Sequence, residues 1–323
     1  MNIVVLDGYT LNPGDLDWQP LSGLAKHDGE GTFHCYDRTS EAELISRASN
    51  ADIIFTNKTP ITAETLSQLP QLKYIGVLAT GTNVVDLNFA AECGVVVTNV
   101  PGYGPDAVAQ MVFAHILHHT QRVSMHHNAV TAGKWNGSED FCFTLAPLQS
   151  LMGKTLGLMG YGAIGRQVAN IALAFGMKVL VNTRKELTGL PRGVEWIGFD
   201  EMLPRVDILS LHCPLTEATA KLVDRKVLEK MRPSAILINT ARGGLIDEVA
   251  LKQALEQGEI AAAGVDVLSS EPPEADNPLL SAVNISITPH NAWATLEARQ
   301  NLLDIAIANL QAFLSAKALN RVN

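Results

Sequence analysis

Residues 155–184 read T-L-G-L-M-G-Y-G-A-I-G-R-Q-V-A-N-I-A-L-A-F-G-M-K-V-L-V-N-T-R. The apolar run Leu156 to Met159 has the texture of a buried strand. Gly160, Gly162 and Gly165 follow with G-x-G-x-x-G spacing. A helical pattern then continues to Phe175, Gly176 stops it, and Val179 to Val181 read as a second strand. In a strand–turn–helix unit each glycine has a task. Gly160 permits the tight turn, Gly162 lets a pyrophosphate come close to the backbone, and Gly165 lets the helix pack on the strand. The helix N-terminus, with Ala163 and Ile164 in its first turn, offers free N–H groups and a positive dipole end to phosphates. Glycines also mark ordinary turns; a strand before, a helix after and a second strand next make this a dinucleotide site.

The chain around this stretch has 323 residues, 47% of them hydrophobic and 18% charged, which fits a globular protein of about two domains. A formal net charge of −9 and the absence of any basic run argue against a nucleic-acid surface. An acidic protein that binds anions must do so with local groups, as a glycine loop does. Cys35, Cys93, Cys142 and Cys213 lie far apart with no C-x-x-C pair, so neither zinc nor a disulfide framework is expected. They suit a reducing compartment, and the cytoplasm is the expected location. The start M-N-I-V-V-L-D-G is a strand pattern rather than a signal peptide, and nowhere do 18 apolar residues run together, so no membrane span is expected.

Strand and helix signals alternate on both sides of the glycine loop. Before it, strands are expected at Ile3 to Leu6, Thr32 to Tyr36, Asp52 to Thr56, Tyr74 to Ala79 and Val95 to Thr98. Helices are expected after Ser40, from Ala63 to Leu69, and after Asp86. The run P-G-Y-G-P-D from Pro101 reads as a linker, and a long helical pattern follows from Asp106 to about Asn128. Residues 131–150 are irregular, with Trp135, Phe141 and Phe143 among glycines and polar residues. After it, strands are expected at Asp207 to His212, Ala235 to Thr240, Ala262 to Val267 and Ile285 to Thr288, then a helix to the C-terminus. Such alternation implies parallel strands with helices on both faces.

The second strand of the glycine-loop unit ends Asn182-Thr183-Arg184-Lys185. A unit that prefers NAD usually places Asp or Glu there, on the ribose diol. Here the first acid is the displaced Glu186. Arg184 and Lys185 attract a 2′-phosphate and Thr183 offers a hydroxyl, so NADP(H) is the expected cofactor, with NAD(H) as the alternative. Read blandly, both cations are solvated surface residues.

Three further residues stand at the ends of later strands, where open α/β sheets bind ligands. Arg242 lies in N-T-A-R-G-G-L-I-D, Glu271 in D-V-L-S-S-E-P-P and His290 in T-P-H-N-A-W. Singly each has a plain reading: a surface ion pair, a turn before Pro272, a boundary histidine. Together, at equivalent sheet positions beside a glycine loop, they form a candidate active site.

With G-Y-G-A-I-G, L-H-C-P-L-T, N-T-A-R-G-G-L-I-D, D-V-x-x-x-E-P-P and T-P-H in that order, nearly the whole chain resembles the D-isomer-specific 2-hydroxyacid dehydrogenases. The L-D-G-Y-T-L-N-P-G-D start and the N-V-P-G-Y stretch look most like its glycerate dehydrogenase or hydroxypyruvate reductase branch. The resemblance implies two Rossmann-like, doubly wound parallel-sheet domains with a cleft between them. The substrate domain would be residues 1–99 plus 291–323 and the dinucleotide domain 100–290, with a dimerisation helix and arm at 106–150. It implies a catalytic triad of Arg242, Glu271 and His290. His290 gives a proton to the forming alkoxide, Glu271 favours the charged imidazole, and Arg242 grips the carboxylate of a 2-keto acid. It further implies a substrate-carboxylate cradle at Thr80 and Gly81. Cys213, Thr240 and Asp266 would line the cofactor, and Val108 would touch it. Cys213 and Asp266 also have plain readings, as packing and as a strand-end turn. The implied substrates are hydroxypyruvate and D-glycerate or glyoxylate and glycolate, and the implied assembly is a homodimer. Trp135, Phe141 and Phe143 would reach the neighbouring subunit or be buried in their own lobe.

Two other readings of such a chain are a cofactor-binding corepressor-like scaffold without turnover and an enzyme of the same fold acting on phosphite or formate. His115 and His119 have i, i+4 spacing, but no acid or cysteine is near in sequence, so they are expected to be exposed or dimer-face residues and no metal site is expected.

Overall fold

A computed structural model describes residues 1–26 and 29–323. The chain divides into two compact units: Met1–Gly104 with Ala294–Asn323, and Pro105–Trp293.

The first unit holds β1 (Ile3–Val5), β2 (Phe33–Cys35), β3 (Ile53–Thr56), β4 (Tyr74–Val77) and β5 (Val96–Thr98). All pairings are parallel and the order is β2-β1-β3-β4-β5. Strands β3 and β4 are buried along their whole length, as sheet strands covered on both faces must be. Local signals set the helices: Ser40 and Glu43 form a reciprocal capping box, and Asp86 accepts the Phe89 N–H. The terminal helix Leu296–Leu314 belongs to this unit; Phe313 packs 4.9 Å from Tyr74, and Arg299, 7% exposed, grips the Asp15 carboxylate with two 2.6 Å bonds.

The second unit holds β6 (Thr155–Met159), β7 (Lys178–Asn182), β8 (Val194–Trp196), β9 (Ile208–Leu211), β10 (Ile236–Asn239), β11 (Ala262–Val265) and β12 (Ile285–Ile287). Its all-parallel sheet has the order β12-β11-β10-β9-β6-β7-β8, the doubly wound arrangement in which strand order reverses beside the first strand. Alternate strand residues feed two cores. Ile208, Ile236 and Ile238 pack with the helices Pro105–Gln121 and Ala163–Ala174, whereas Leu209, Leu211 and Leu237 pack on the opposite face. Among the described residues no helix is long and apolar enough to cross a membrane.

Four details depart from the sequence reading. Strand β8 is an unforeseen edge strand. The crossings between units fall after Gly104 and Trp293, not after residues 99 and 290. Val100 N–H is bonded to Ala79 O and Tyr103 O accepts from Asn301, which keeps those residues in the first unit; Asn291 and Ala292 donate to Asp266, which keeps them in the second. The long helix is two helices, Pro105–Gln121 and Val123–Thr131, separated by Arg122 at φ 53°. The first buries nine residues and the second none, so the chain turns aside where its apolar face ends. Gln149 closes the turn, donating to Thr120 O and accepting from the Gln121 side chain. Finally, His115 and His119 are not surface residues: each is 3% exposed, inside the second unit.

Candidate active site

In a parallel sheet every strand ends on the same edge, so the loops after β6, β7, β9, β10, β11 and β12 are neighbours. The glycine loop follows β6. Gly160 has φ 106°, and a Cβ there would stand 2.5 Å from His212 O, at the end of β9. A Cβ at Gly165 would stand 2.5 Å from Gly160 O. These two glycines are therefore demanded by the protein's own backbone. Gly162 is different: nothing lies within 4 Å of its Cβ position. It caps the helix Ala163–Ala174, whose first N–H groups have no intrahelical partner. Open space above Gly162 and exposed Ala163, beside free N–H groups, fits a pyrophosphate held on the loop. Ile164 packs into the core, so its backbone and not its side chain is what faces a ligand.

At the end of β7, Arg184 and Lys185 are exposed. Neither is in an ion pair among the described residues. Thr183 departs from expectation: its hydroxyl donates to Lys185 O at 2.6 Å and accepts from Trp196 Nε1 at 3.2 Å, so its proton is taken up within the loop. Cys213, after β9, is 9% exposed, and burial pushes its thiol up. Thr240, after β10, is also 9% exposed, and its Oγ1 is buried without a hydrogen-bond partner among the described residues. Val108 is 8% exposed at the start of its helix.

The loops after β11 and β12 bring Glu271 and His290 together. His290 Nδ1 lies 2.5 Å from Glu271 Oε2, and Glu271 Oε1 accepts the Leu268 N–H at 3.1 Å. The carboxylate is thus held at both oxygens, and it fixes which imidazole nitrogen stays free: Nε2. His290 has φ 51°, a left-handed backbone; its N–H donates to Asp266 O at 2.7 Å and its carbonyl accepts from Trp293 Nε1 at 2.9 Å. Asp266 is 1% exposed and its carboxylate accepts from Thr288, Asn291 and Ala292, so it holds the His290 loop. Burial raises its pKa, with the Thr288 hydrogen bond opposing.

Arg242 follows β10, the neighbour of β11. Its guanidinium is exposed and donates to Ala241 O; among the described residues it makes no bond to Glu271 or His290. Its loop is nevertheless pressed onto theirs. A Cβ at Gly243 would stand 1.9 Å from the Leu268 carbonyl carbon, the residue whose N–H holds Glu271. The Asn239 side chain bonds Ala241 N–H and Arg242 O, fixing the turn.

Thr80 and Gly81 belong to the first unit, just after β4. The Thr80 hydroxyl donates to Val100 O and Thr80 O accepts from Asn99, while the N–H groups of Thr80 and Gly81 make no hydrogen bond among the described residues.

A glycine loop with room above it and a carboxylate-held imidazole on the same sheet edge define a dinucleotide-linked α/β enzyme. The profile of the D-isomer specific 2-hydroxyacid dehydrogenase NAD-binding domain matches residues 113–292. A hydroxypyruvate reductase of Blautia hydrogenotrophica is 46% identical over the full length of both chains. A glycerate dehydrogenase of Methylorubrum extorquens is 42% identical over 87% of this chain and 88% of its own. The crystal structure of an NADPH-dependent glyoxylate/hydroxypyruvate reductase from Sinorhizobium meliloti superposes with a TM-score of 0.83 at 30% identity, covering 99% of this chain and 97% of that one. The chain belongs to the D-isomer specific 2-hydroxyacid dehydrogenases, oxidoreductases that use a nicotinamide cofactor.

Proposed function

We propose that this enzyme reduces hydroxypyruvate to D-glycerate and glyoxylate to glycolate, with NADPH preferred over NADH. The observation that carries the reading is the Glu271–His290 pair on the sheet edge that also carries the glycine loop. A scaffold that only binds cofactor has no use for such a pair. The substrate is argued from the relatives that reduce hydroxypyruvate or are named for glycerate.

The bound nicotinamide supplies a hydride to C2 of the 2-keto acid. His290 delivers a proton from Nε2 to the carbonyl oxygen, since Nδ1 is held by Glu271. Arg242, whose exposed guanidinium bonds only Ala241 O among the described residues, binds the substrate carboxylate and polarises the carbonyl. The N–H groups of Thr80 and Gly81, without a partner among the described residues, support their role as further carboxylate donors. Gly160, Gly162 and Gly165 form the pyrophosphate loop.

The cofactor preference rests on Arg184 and Lys185, exposed, unpaired among the described residues and with no acid at the end of β7. The S. meliloti relative is NADPH-dependent. We assign the chain to the cytoplasm, since its four cysteines are free thiols, and to a homodimer, since residues 123–152 expose Val123, Trp135, Phe141 and Met152. Steady-state kinetics with hydroxypyruvate, glyoxylate, phosphite and formate against NADPH and NADH test the proposal. Arg184→Ala raises KM for NADPH by about tenfold, the loss of one charge-assisted hydrogen bond, and leaves NADH within about twofold. Equal effects on both cofactors would defeat the NADPH assignment.

A further inference from the structure

A chain of hydrogen bonds runs through the interior of the second unit, from the helix Pro105–Gln121 to the loop that carries His290. His119 Nε2 lies 2.9 Å from Ser286 Oγ, Ser286 Oγ lies 2.7 Å from His115 Nδ1, and His115 Nε2 lies 3.2 Å from Thr288 Oγ1. Thr288 Oγ1 donates to Asp266 Oδ1 at 2.5 Å. The Asp266 carboxylate in turn accepts the backbone N–H groups of Asn291 and Ala292, each at 3.0 Å, while the Asp266 main-chain carbonyl accepts the His290 N–H at 2.7 Å.

One arrangement of protons satisfies every link. The Thr288 hydroxyl donates its hydrogen bond to Asp266 Oδ1, so Thr288 Oγ1 accepts from His115 Nε2–H. His115 Nδ1 then carries no proton and accepts from the Ser286 hydroxyl, and Ser286 accepts from His119 Nε2–H. The chain has a single direction and ends on the carboxylate that holds the acid–base loop.

The sheet is shaped around it. Gly264 in β11 pairs across to Ser286 in β12, and a Cβ at Gly264 would stand 2.6 Å from His115 Cβ and 2.8 Å from its Cγ. Burial, with His118 beside them, pushes both histidines down to about 4, so they serve as neutral hydrogen-bonding groups. Leucines would fill the same space without the desolvation of two imidazoles, so packing alone does not explain the pair. At the far end His290 is held at φ 51°, a backbone conformation that a non-glycine residue keeps only when its surroundings impose it.

We propose that His115 is a positioning residue for His290, acting through Thr288 and the Asp266 carboxylate that fixes the backbone of residues 291 and 292, directly after His290. The inference rests on the assignment of His290 as proton donor. Thr288→Val removes the linking hydroxyl at nearly constant shape, Thr288→Ser keeps it, and His115→Leu removes the next member. For each variant kcat and KM for hydroxypyruvate, NADPH affinity and Tm are measured. Thr288→Val and His115→Leu each lower kcat by about tenfold or more, as a slightly misplaced acid does, while KM and NADPH affinity stay within about twofold. Thr288→Ser keeps at least about half of kcat. The double variant falls no further than the worse single one, because both break one chain.

The proposal is overturned if folded Thr288→Val retains kcat within about twofold, if Thr288→Ser fails equally, or if the two losses multiply. Thr288 is only half-buried, so the Val/Ser pair carries the test should His115→Leu not fold. His290→Gln in the same assay separates the two claims. Loss of turnover there with Thr288→Val unaffected defeats the positioning role alone; retained turnover defeats both.

Discussion

Glu271 binds two donors at once: His290 Nδ1 at 2.5 Å through Oε2 and the Leu268 N–H at 3.1 Å through Oε1. A glutamine has one acceptor oxygen and cannot serve both. Glu271→Gln therefore either breaks one of the bonds or reverses the one to His290, the amide donating to Nδ1, and it removes the negative charge beside the imidazole. The expected result is a fall in kcat on the order of 10²-fold, with KM changed little, in NADPH-coupled assays. An unchanged kcat would mean that the pair is structural.

The three loop glycines separate by what surrounds them. Gly160→Ala forces a Cβ at φ 106° against His212 O, and stability falls by several kcal/mol in urea unfolding. Gly162→Ala adds a methyl to open space, so stability changes by about 1 kcal/mol or less, while NADPH binding, read by fluorescence titration, weakens by roughly tenfold or more. Unchanged binding in the folded Gly162→Ala protein would remove the pyrophosphate from this loop.

The buried histidines predict an acid limb of stability. His115 and His119, beside His118 and Arg122 and linked through Thr288 to Asp266, have folded values near 4 against about 6.5 unfolded. Between those values the unfolded chain binds more protons. Their contribution is complete above about pH 6.5 and is lost as pH falls toward about 4, on the order of 3 kcal/mol for each. Urea unfolding at pH 7, 5.5 and 4.5 should show this slope, and His115→Leu/His119→Leu should flatten it. Parallel curves would contradict it.

The segment 123–152 predicts self-association. Phe141 is 88% exposed, Met152 76% and Val123 69%, more apolar surface than an isolated surface helix and arm usually carry. Sedimentation should show a dimer that Phe141→Glu/Val123→Glu weakens or dissociates. A wild-type monomer at micromolar concentration would refute the assignment.

Much of this was legible in the chain because parallel strands and their helices announce themselves by apolar runs and turn residues. Gly160, Thr240, Asp266 and His290 all fall where a strand pattern stops. The break at Arg122 was not legible, since neither glycine nor proline marks it and its cause is where the core ends. Strand β8 is three residues, too short for any period. The Thr183 hydroxyl could not be assigned without Trp196, thirteen residues away. The histidine chain did leave a trace: His115 and His119 share a face with Val108, Val112 and Ile116, and Gly264 interrupts a run that a buried strand fills with larger residues. Charge on a helix invites a surface reading, and only the sheet partner shows the histidines to be enclosed.

The central claim is that His290 donates the proton in a nicotinamide-linked reduction of a 2-keto acid. It is tested most directly by following NADPH absorbance with hydroxypyruvate for wild type and His290→Gln side by side. The account predicts steady oxidation by the wild type and a loss on the order of 10³-fold in the variant, which still binds NADPH. Comparable rates in the two, or a wild type that binds NADPH yet reduces no 2-keto acid, would contradict it.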